Sequence, residues 1–486
     1  MKRKISVLII TVLGVALLLL ILKLVFLLVA KPKVTVNYVT EYNKIARPQN
    51  YDPCQNAAPY YQKAFDVFVN ISDENLRMRC SLGYVDWPTD FNNSEQAVLA
   101  QWSASNSQAF EFFKIATNKP YYWVERKGEK LDFIADGNCF AAIMLSELAP
   151  FRELTKAILW DAKIKAVKGQ FPPAFENILN CYKAGSQKCY SNFLEVDQGN
   201  GLEIKKDAAK SAIMILNKSG ATIESNVLKS FQDALQANID NDTYVPSLRA
   251  EKFFLYDALQ RIFLDDGKGN GRLSWRIGWD VVSLCTDFDS KWSSAWRTDA
   301  GHLKGRLNCF FGPTRKEIAE QIEQVFAISD QVMTKTPWQI KNEGHDYFQE
   351  IKNINNSNFL LENVGKSPKG IFDIYYKTKA QTDALFVVLS ILRYKMDMGQ
   401  FPETLENLVA KGYLRSILED PYSNSSPVYK VTQKGFTLYS VGENFKDDRG
   451  VSTSDDIVFW PPTEPLKILI NRRQKDCNQP PQEYSE

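Results

Sequence analysis

TKAQTDALFVVLSILRYKMDMG (Thr378–Gly399), continued by QFPETLENLVAKGYL (Gln400–Leu414), decides how the chain is read. Apolar residues recur at helical spacing, Thr378 with Gln381 forms a candidate capping box, and Gly399 stops the helix. Beyond the corner the composition changes. PVYKVTQKGFTLYSVG (Pro427–Gly442) reads as two strands joined at Gln433, Lys434 and Gly435, and DDIVFW (Asp455–Trp460) as a third. A long helix leaning on a small antiparallel sheet, an α+β module, is expected over 378–462.

The corner itself occurs twice, as KGQFPPAFENIL (Lys168–Leu179) and MGQFPETLENLV (Met398–Val409). Each copy ends a helix at Gly, plugs the bend with an aromatic ring, and places Pro where a new helix needs no amide hydrogen bond. Outside those residues the copies diverge, so this is one turn solution used twice rather than a duplication.

Upstream, residues 37–366 are mainly α-helical in pattern, a helical array without a fixed repeat period. Tyr60, Tyr61, Ala64, Phe65 and Phe68 share one face. A helix capped by Ser94 is expected, as is one opened by a capping box of Thr314 with Glu317. NVGKSPKG (Asn363–Gly370) breaks the pattern and separates array from module. The last residues, 463–486, read as a solvated tail.

The opening stretch sets the address. Ile5 to Leu22 is an uncharged apolar run of 18 residues, about the minimum for a transmembrane helix. Lys23 interrupts it near the far interface before Leu24–Ala30. The run is too long for the core of a cleaved signal peptide. With Lys2, Arg3 and Lys4 in front, residues 1–4 are expected in the cytoplasm, 5–30 as a single-pass signal anchor, and the body outside the membrane.

Eight cysteines follow the run: Cys54, Cys80, Cys139, Cys181, Cys189, Cys285, Cys309 and Cys477. An exported body permits disulfides, with Cys181–Cys189 and Cys285–Cys309 the close pairs and buried free thiols the alternative. No CxxC occurs, so neither a zinc ribbon nor a thioredoxin-type site is supported.

The 486-residue chain is 44% hydrophobic and 24% charged, with a formal net charge of +2. That balance leaves no basic footprint for a nucleic acid. The two histidines, His302 and His345, give little material for general-base catalysis. HExxH and GxSxG are absent, and VGKS (Val364–Ser367) lacks the upstream glycine of a phosphate loop. DDGKGNGRL (Asp265–Leu273) has only the first half of a calcium loop and reads as a glycine-rich turn. Glu251 and Asp257, six apart on the preceding helix, do not share a face, so paired-carboxylate hydrolysis has no anchor. Trp275, Trp279, Trp292 and Trp296 could line a pocket, but core packing between helices is the preferred reading.

LRYKMDMGQFPETLENL, DPYSNSSPVYKV, GFTLYSVGENFKDDRG and DDIVF, in that order, resemble the C-terminal half of the major pseudopilins of type II secretion systems. The resemblance covers about Thr378 to Trp460. It implies an acidic loop that holds calcium, and the matching positions here are Asp447, Asp448, Asp455 and Asp456. Four carboxylates around a turn at Gly450 suit a cation that takes six to eight oxygens. The N-terminus has neither the leader cleavage motif nor the glutamate of that family, so fibre incorporation is not implied. The whole chain is similar to large bacterial membrane-anchored proteins, a group of no established activity, that carry such a module at the C-terminus. The expectation is therefore a non-catalytic scaffold or binding protein in the bacterial inner membrane, with a protein partner in the envelope. The alternatives are an accessory component of a type II secretion or pseudopilus-like apparatus, and an envelope hydrolase with an unrecognised site.

Overall fold

A computed structural model describes residues 11–19, 21, 25, 30–81, 87–129, 138–191, 193–274, 311–356, 359–362, 367–433, 435–451 and 455–462. The chain is mainly helical, with one small antiparallel sheet near the C-terminus. Most of the expected membrane span, the four tryptophans from Trp275 to Trp296, His302, Cys285, Cys309, Cys477 and the tail lie outside the described residues. Among the described residues no helix is long and apolar enough to cross a membrane.

In chain order the helices are α1 (Tyr38–Ala46), α2 (Ala58–Val67), α3 (Glu74–Ser81), α4 (Asn93–Ser105), α5 (Ser107–Thr117), α6 (Leu148–Val167), α7 (Phe171–Ser191) and α8 (Glu195–Ser219). There follow α9 (Ser225–Asp240), α10 (Arg249–Ile262), α11 (Arg315–Met333), α12 (Pro337–Glu343), α13 (Tyr347–Asn356), α14 (Phe359–Glu362), α15 (Ser367–Met398) and α16 (Glu406–Ala410). The three strands β1 (Val428–Thr432), β2 (Gly435–Ser440) and β3 (Ile457–Trp460) pair in that order, as the alternation predicts.

The centre is a stack in which α6 meets α7, α7 meets α8, and α8 meets α15. Gly185 and Gly201 set the closeness of α7 and α8. A Cβ on Gly201 would stand 2.6 Å from the Gly185 carbonyl oxygen and 2.7 Å from Cys189 Sγ, and a Cβ on Gly185 would stand 2.6 Å from the Gly201 carbonyl. Neither helix backbone can yield without moving its neighbours, because both faces are buried. Gly201→Ala is expected to destabilise by about 1–3 kcal/mol despite alanine's better helix propensity, read by urea unfolding. A neutral or stabilising result would mean the two helices part freely.

The first Gly-Gln-Phe-Pro corner forms as expected: Gly169 is left-handed at φ 73°, the Gln170 N–H bonds back to the Lys165 carbonyl, and α7 starts at Phe171. In the second copy Gly399 again turns at φ 78°, but no helix begins at Pro402. The Tyr429 hydroxyl on β1 donates to the Pro402 carbonyl at 2.8 Å, so the sheet takes the acceptor a helix would use, and α16 waits until Glu406.

Two expected helix starts move. The cap before α4 is Asn92, not Ser94, in a reciprocal box with Glu95. The capping box of Thr378 with Gln381 is not a start either: α15 begins at Ser367, and the Thr378 hydroxyl donates to the Leu202 carbonyl on α8 at 3.2 Å. The box of Thr314 with Glu317 is as expected. Because α15 lies along α8 and also carries the sheet, the hydrophobic core runs unbroken from Ala57 to Phe459.

Cys54, Cys80, Cys139, Cys181 and Cys189 are free thiols. Cys181 and Cys189 sit on one helix, about 12 Å apart along its axis, far beyond disulfide reach.

Candidate functional site

The acidic loop after β2 is built from the backbone outward. Gly442 turns at φ 65° against the segment just before β3, where a Cβ would be 2.1 Å from the Asp455 carbonyl oxygen, so no other residue fits. Asp456 is buried and anchors the loop: its carboxylate accepts from the Gly450 N–H at 2.7 Å and the Asp448 N–H at 3.3 Å. Asp447 accepts from the Tyr439 hydroxyl (2.7 Å) and the Arg449 N–H (2.8 Å), and the Tyr439 bond foremost holds its carboxyl below the usual range. Asp448 accepts from Asn444 Nδ2 at 2.8 Å, and Asp455 is exposed. The four predicted residues thus sit in one loop, with different duties. Among the described residues no three acidic, histidine or cysteine side chains are placed to share an ion, and residues 452–454 lie outside them.

What the loop aims is Phe445, an aromatic residue held at φ 59°. That region is costly for a bulky side chain and persists only where its surroundings impose it. Phe445 forms one wall of a groove of about 500 Å³ between the loop, α12, α13 and the start of α15. The floor is apolar: Ile340, Phe348, Phe372 and Tyr422 line it with Phe445. Phe348 and Phe372 meet edge-on at 5.3 Å, and Phe445 stands tilted 6.4 Å from both Trp338 and Tyr422.

Local chemistry fixes these walls. Thr336 and Gln339 form a capping box with Pro337 at the first helical turn, which sets α12, and the Trp338 N–H bonds the Pro421 carbonyl at 3.1 Å. Asp420 accepts from the Tyr422 N–H and the Ser440 hydroxyl, bolting the Asp-Pro turn to β2. Burial raises the Asp420 and Asp373 carboxyls and the Tyr422 hydroxyl above their ordinary values.

The rim is charged and largely self-paired. Lys369 pairs with Asp373 at 2.5 Å, Glu443 with Lys377 at 2.6 Å, and His345 Nε2 meets Glu350 at 2.7 Å. Lys341 differs: its ammonium lies over the rings of Phe445 (4.5 Å) and Trp338 (4.9 Å), with no carboxylate partner among the described residues. An apolar trough beside one cation suits a large apolar side chain next to an acidic group.

The other sequence candidates have structural work. Asp265 and Asp266 accept from the N–H groups of Gly267, Lys268 and Asn270, and Asp265 pairs with Arg315, a turn as expected. Asp257 binds Arg261 and the Phe140 N–H, whereas Glu251 accepts from the Glu195 N–H, so the two carboxylates serve different neighbours. Sequence reasoning missed the groove, whose walls lie about a hundred residues apart; the Phe in the acidic loop was the available hint.

Comparison with protein-family models, curated proteins and solved structures returns no match.

Proposed function

We propose that the protein is a membrane-anchored extracytoplasmic binding scaffold, and that the groove at Phe445 and Lys341 receives an envelope protein partner. The occupant is a segment with a large apolar side chain next to a carboxylate. The carrying observation is the strained Phe445, aimed into an apolar trough beside a lysine that has no acidic partner among the described residues. The membrane part of the proposal rests on the apolar N-terminal run, whose described residues 11–19 are helical with every side chain exposed. The scaffold reading has no catalytic step.

The test is crosslinking in native membranes followed by purification through a C-terminal tag. Ile340→Asp places a charge in the trough at a half-buried site, and Lys341→Glu reverses the charge of the lysine that lies over Phe445. Each is expected to lower partner recovery at least tenfold, well beyond the fraction that melting of the same variant shows unfolded. Recovery equal to the parent chain would remove the groove from the account. Enrichment of pseudopilins or secretion-platform proteins would place the chain in a secretion apparatus instead. Running the purification and the melts in calcium and in a chelator reads the loop's use of that ion: a calcium-dependent rise in melting that Asp448→Asn and Asp455→Asn remove assigns it there, and identical melts exclude it.

A further inference from the structure

A second cavity, of about 150 Å³, shares no lining residue with the groove. It lies where Tyr182 of α7, α8, the residues after α9, and α15 come together. Two ion pairs face it. Lys205, buried on α8, holds Asp242, whose second oxygen accepts from the Tyr190 hydroxyl at 3.0 Å and the Tyr244 N–H at 3.3 Å. Lys379 reaches Asp383 at 2.7 Å along α15. On the same face of that helix Thr382 is 5% exposed, and its hydroxyl has no hydrogen-bond partner among the described residues.

Thr382 lines the cavity with its hydroxyl turned inward from the open space, and a buried hydroxyl left unpaired is costly, so a side-chain rotation toward a bound partner is favoured. The cavity has room for about five waters or one molecule of that bulk. Its lining offers two ammonium groups and two carboxylates, so the formal charges cancel. A lone anion or cation of this size would unbalance that set, whereas a molecule with both charges meets it. The aromatic wall adds apolar contact: Tyr244 and Tyr375 meet edge-on at 6.1 Å, and Lys205 lies 4.9 Å over Tyr182.

We infer that this cavity binds a small zwitterion of free-amino-acid size. Its carboxylate faces the lysine ammonium groups, its ammonium faces Asp242 and Asp383, and the Thr382 hydroxyl completes the ring of polar contacts. The site is independent of the groove.

The experiment is thermal melting and calorimetric titration of the full chain in detergent, with glycine, L-alanine and L-serine as probes. Acetate, methylammonium and glycerol are controls at equal concentration and ionic strength. The zwitterions are expected to raise the melting temperature saturably by several degrees, and the controls are not. Thr382→Val keeps the shape, loses no existing bond, and is expected to weaken binding three- to tenfold without moving the unliganded melt. Asp383→Asn is expected to weaken it at least tenfold. No saturable shift with any zwitterion overturns the inference, as does an equal shift in both variants. A glycerol shift matching that of glycine also overturns it, since charge would then play no part.

Discussion

Asp197→Leu is expected to destabilise the protein by about 3–5 kcal/mol, the largest effect of any single substitution here, because it strands the buried Lys188 ammonium and takes one of two carboxylates from the buried Arg126. Asp197 is fully buried in the first turn of α8 and accepts from Arg126 at 2.9 Å and from Lys188. Arg126, also buried, reaches Glu147 at 2.6 Å just before α6. Lys188 on α7 is fully buried with its ammonium over the rings of Tyr122 (5.3 Å) and Phe151 (5.2 Å). One carboxylate therefore ties the 121–128 segment, α7 and α8 together. Urea unfolding of the full chain in detergent measures the effect. A loss under about 1 kcal/mol would mean that the cluster is hydrated and contributes little more than a surface pair. Lys188→Met alone, which removes one charge but leaves the Arg126 pair, is expected to cost less than Asp197→Leu.

The second large effect is a fall in stability from acid toward alkaline pH. Burial pushes the Glu251 carboxyl up to about 8, partly offset by the Glu195 N–H it accepts, and pushes Glu195 up to about 7. One Glu251 oxygen is sealed from solvent with no hydrogen-bond partner among the described residues, and the negative neighbours Glu195 and Asp197 add to the rise. Both folded values lie above the roughly 4.5 of an unfolded glutamate. The stabilisation is therefore complete below about pH 4.5 and is lost as the pH climbs through about 7 and 8. Ionising Glu251 in place costs on the order of 3–5 kcal/mol. Glu251→Gln mimics the protonated acid. It is expected to match the parent near pH 5, to be more stable by a few kcal/mol at pH 9, and to flatten the profile. Parallel profiles for parent and variant would show that Glu251 does not carry the dependence.

Local rules in the sequence account for the parts of the fold that local chemistry controls. The two strands around Gln433–Gly435, the third at Ile457–Trp460, the box of Thr314 with Glu317 and the Gly169 corner all follow from short-range preferences. Where long-range packing competes, those rules mislead. Gly370 and Pro368 look like a linker, yet α15 begins at Ser367 and includes both, with Ile371, Phe372 and Tyr376 behind them buried against the rest of the core. Pro402 looks like a helix start, and a tyrosine from a strand that follows it claims its carbonyl.

The candidate site divides in the same way. The acidic loop is visible as a run of aspartates, but nothing local distinguishes Asp456, which holds backbone amides, from the exposed Asp455. The groove depends on residues from Pro337 to Phe445 meeting in space, and no motif spans that distance. The second cavity is further hidden, because Thr382 sits in an apolar-looking helix and only the fold reveals that its hydroxyl has no partner among the described residues.

A photocrosslinking amino acid at Ile340, in the trough, tests the central claim most directly. The control site is Lys127, an exposed position that does not line the groove. Illumination of native membranes is expected to join position 340, and not position 127, to a discrete envelope protein, and Lys341→Glu in the same chain is expected to abolish that product. Equal labelling from both positions, or labelling at 340 that survives Lys341→Glu, would contradict the account of the groove as the partner-binding site.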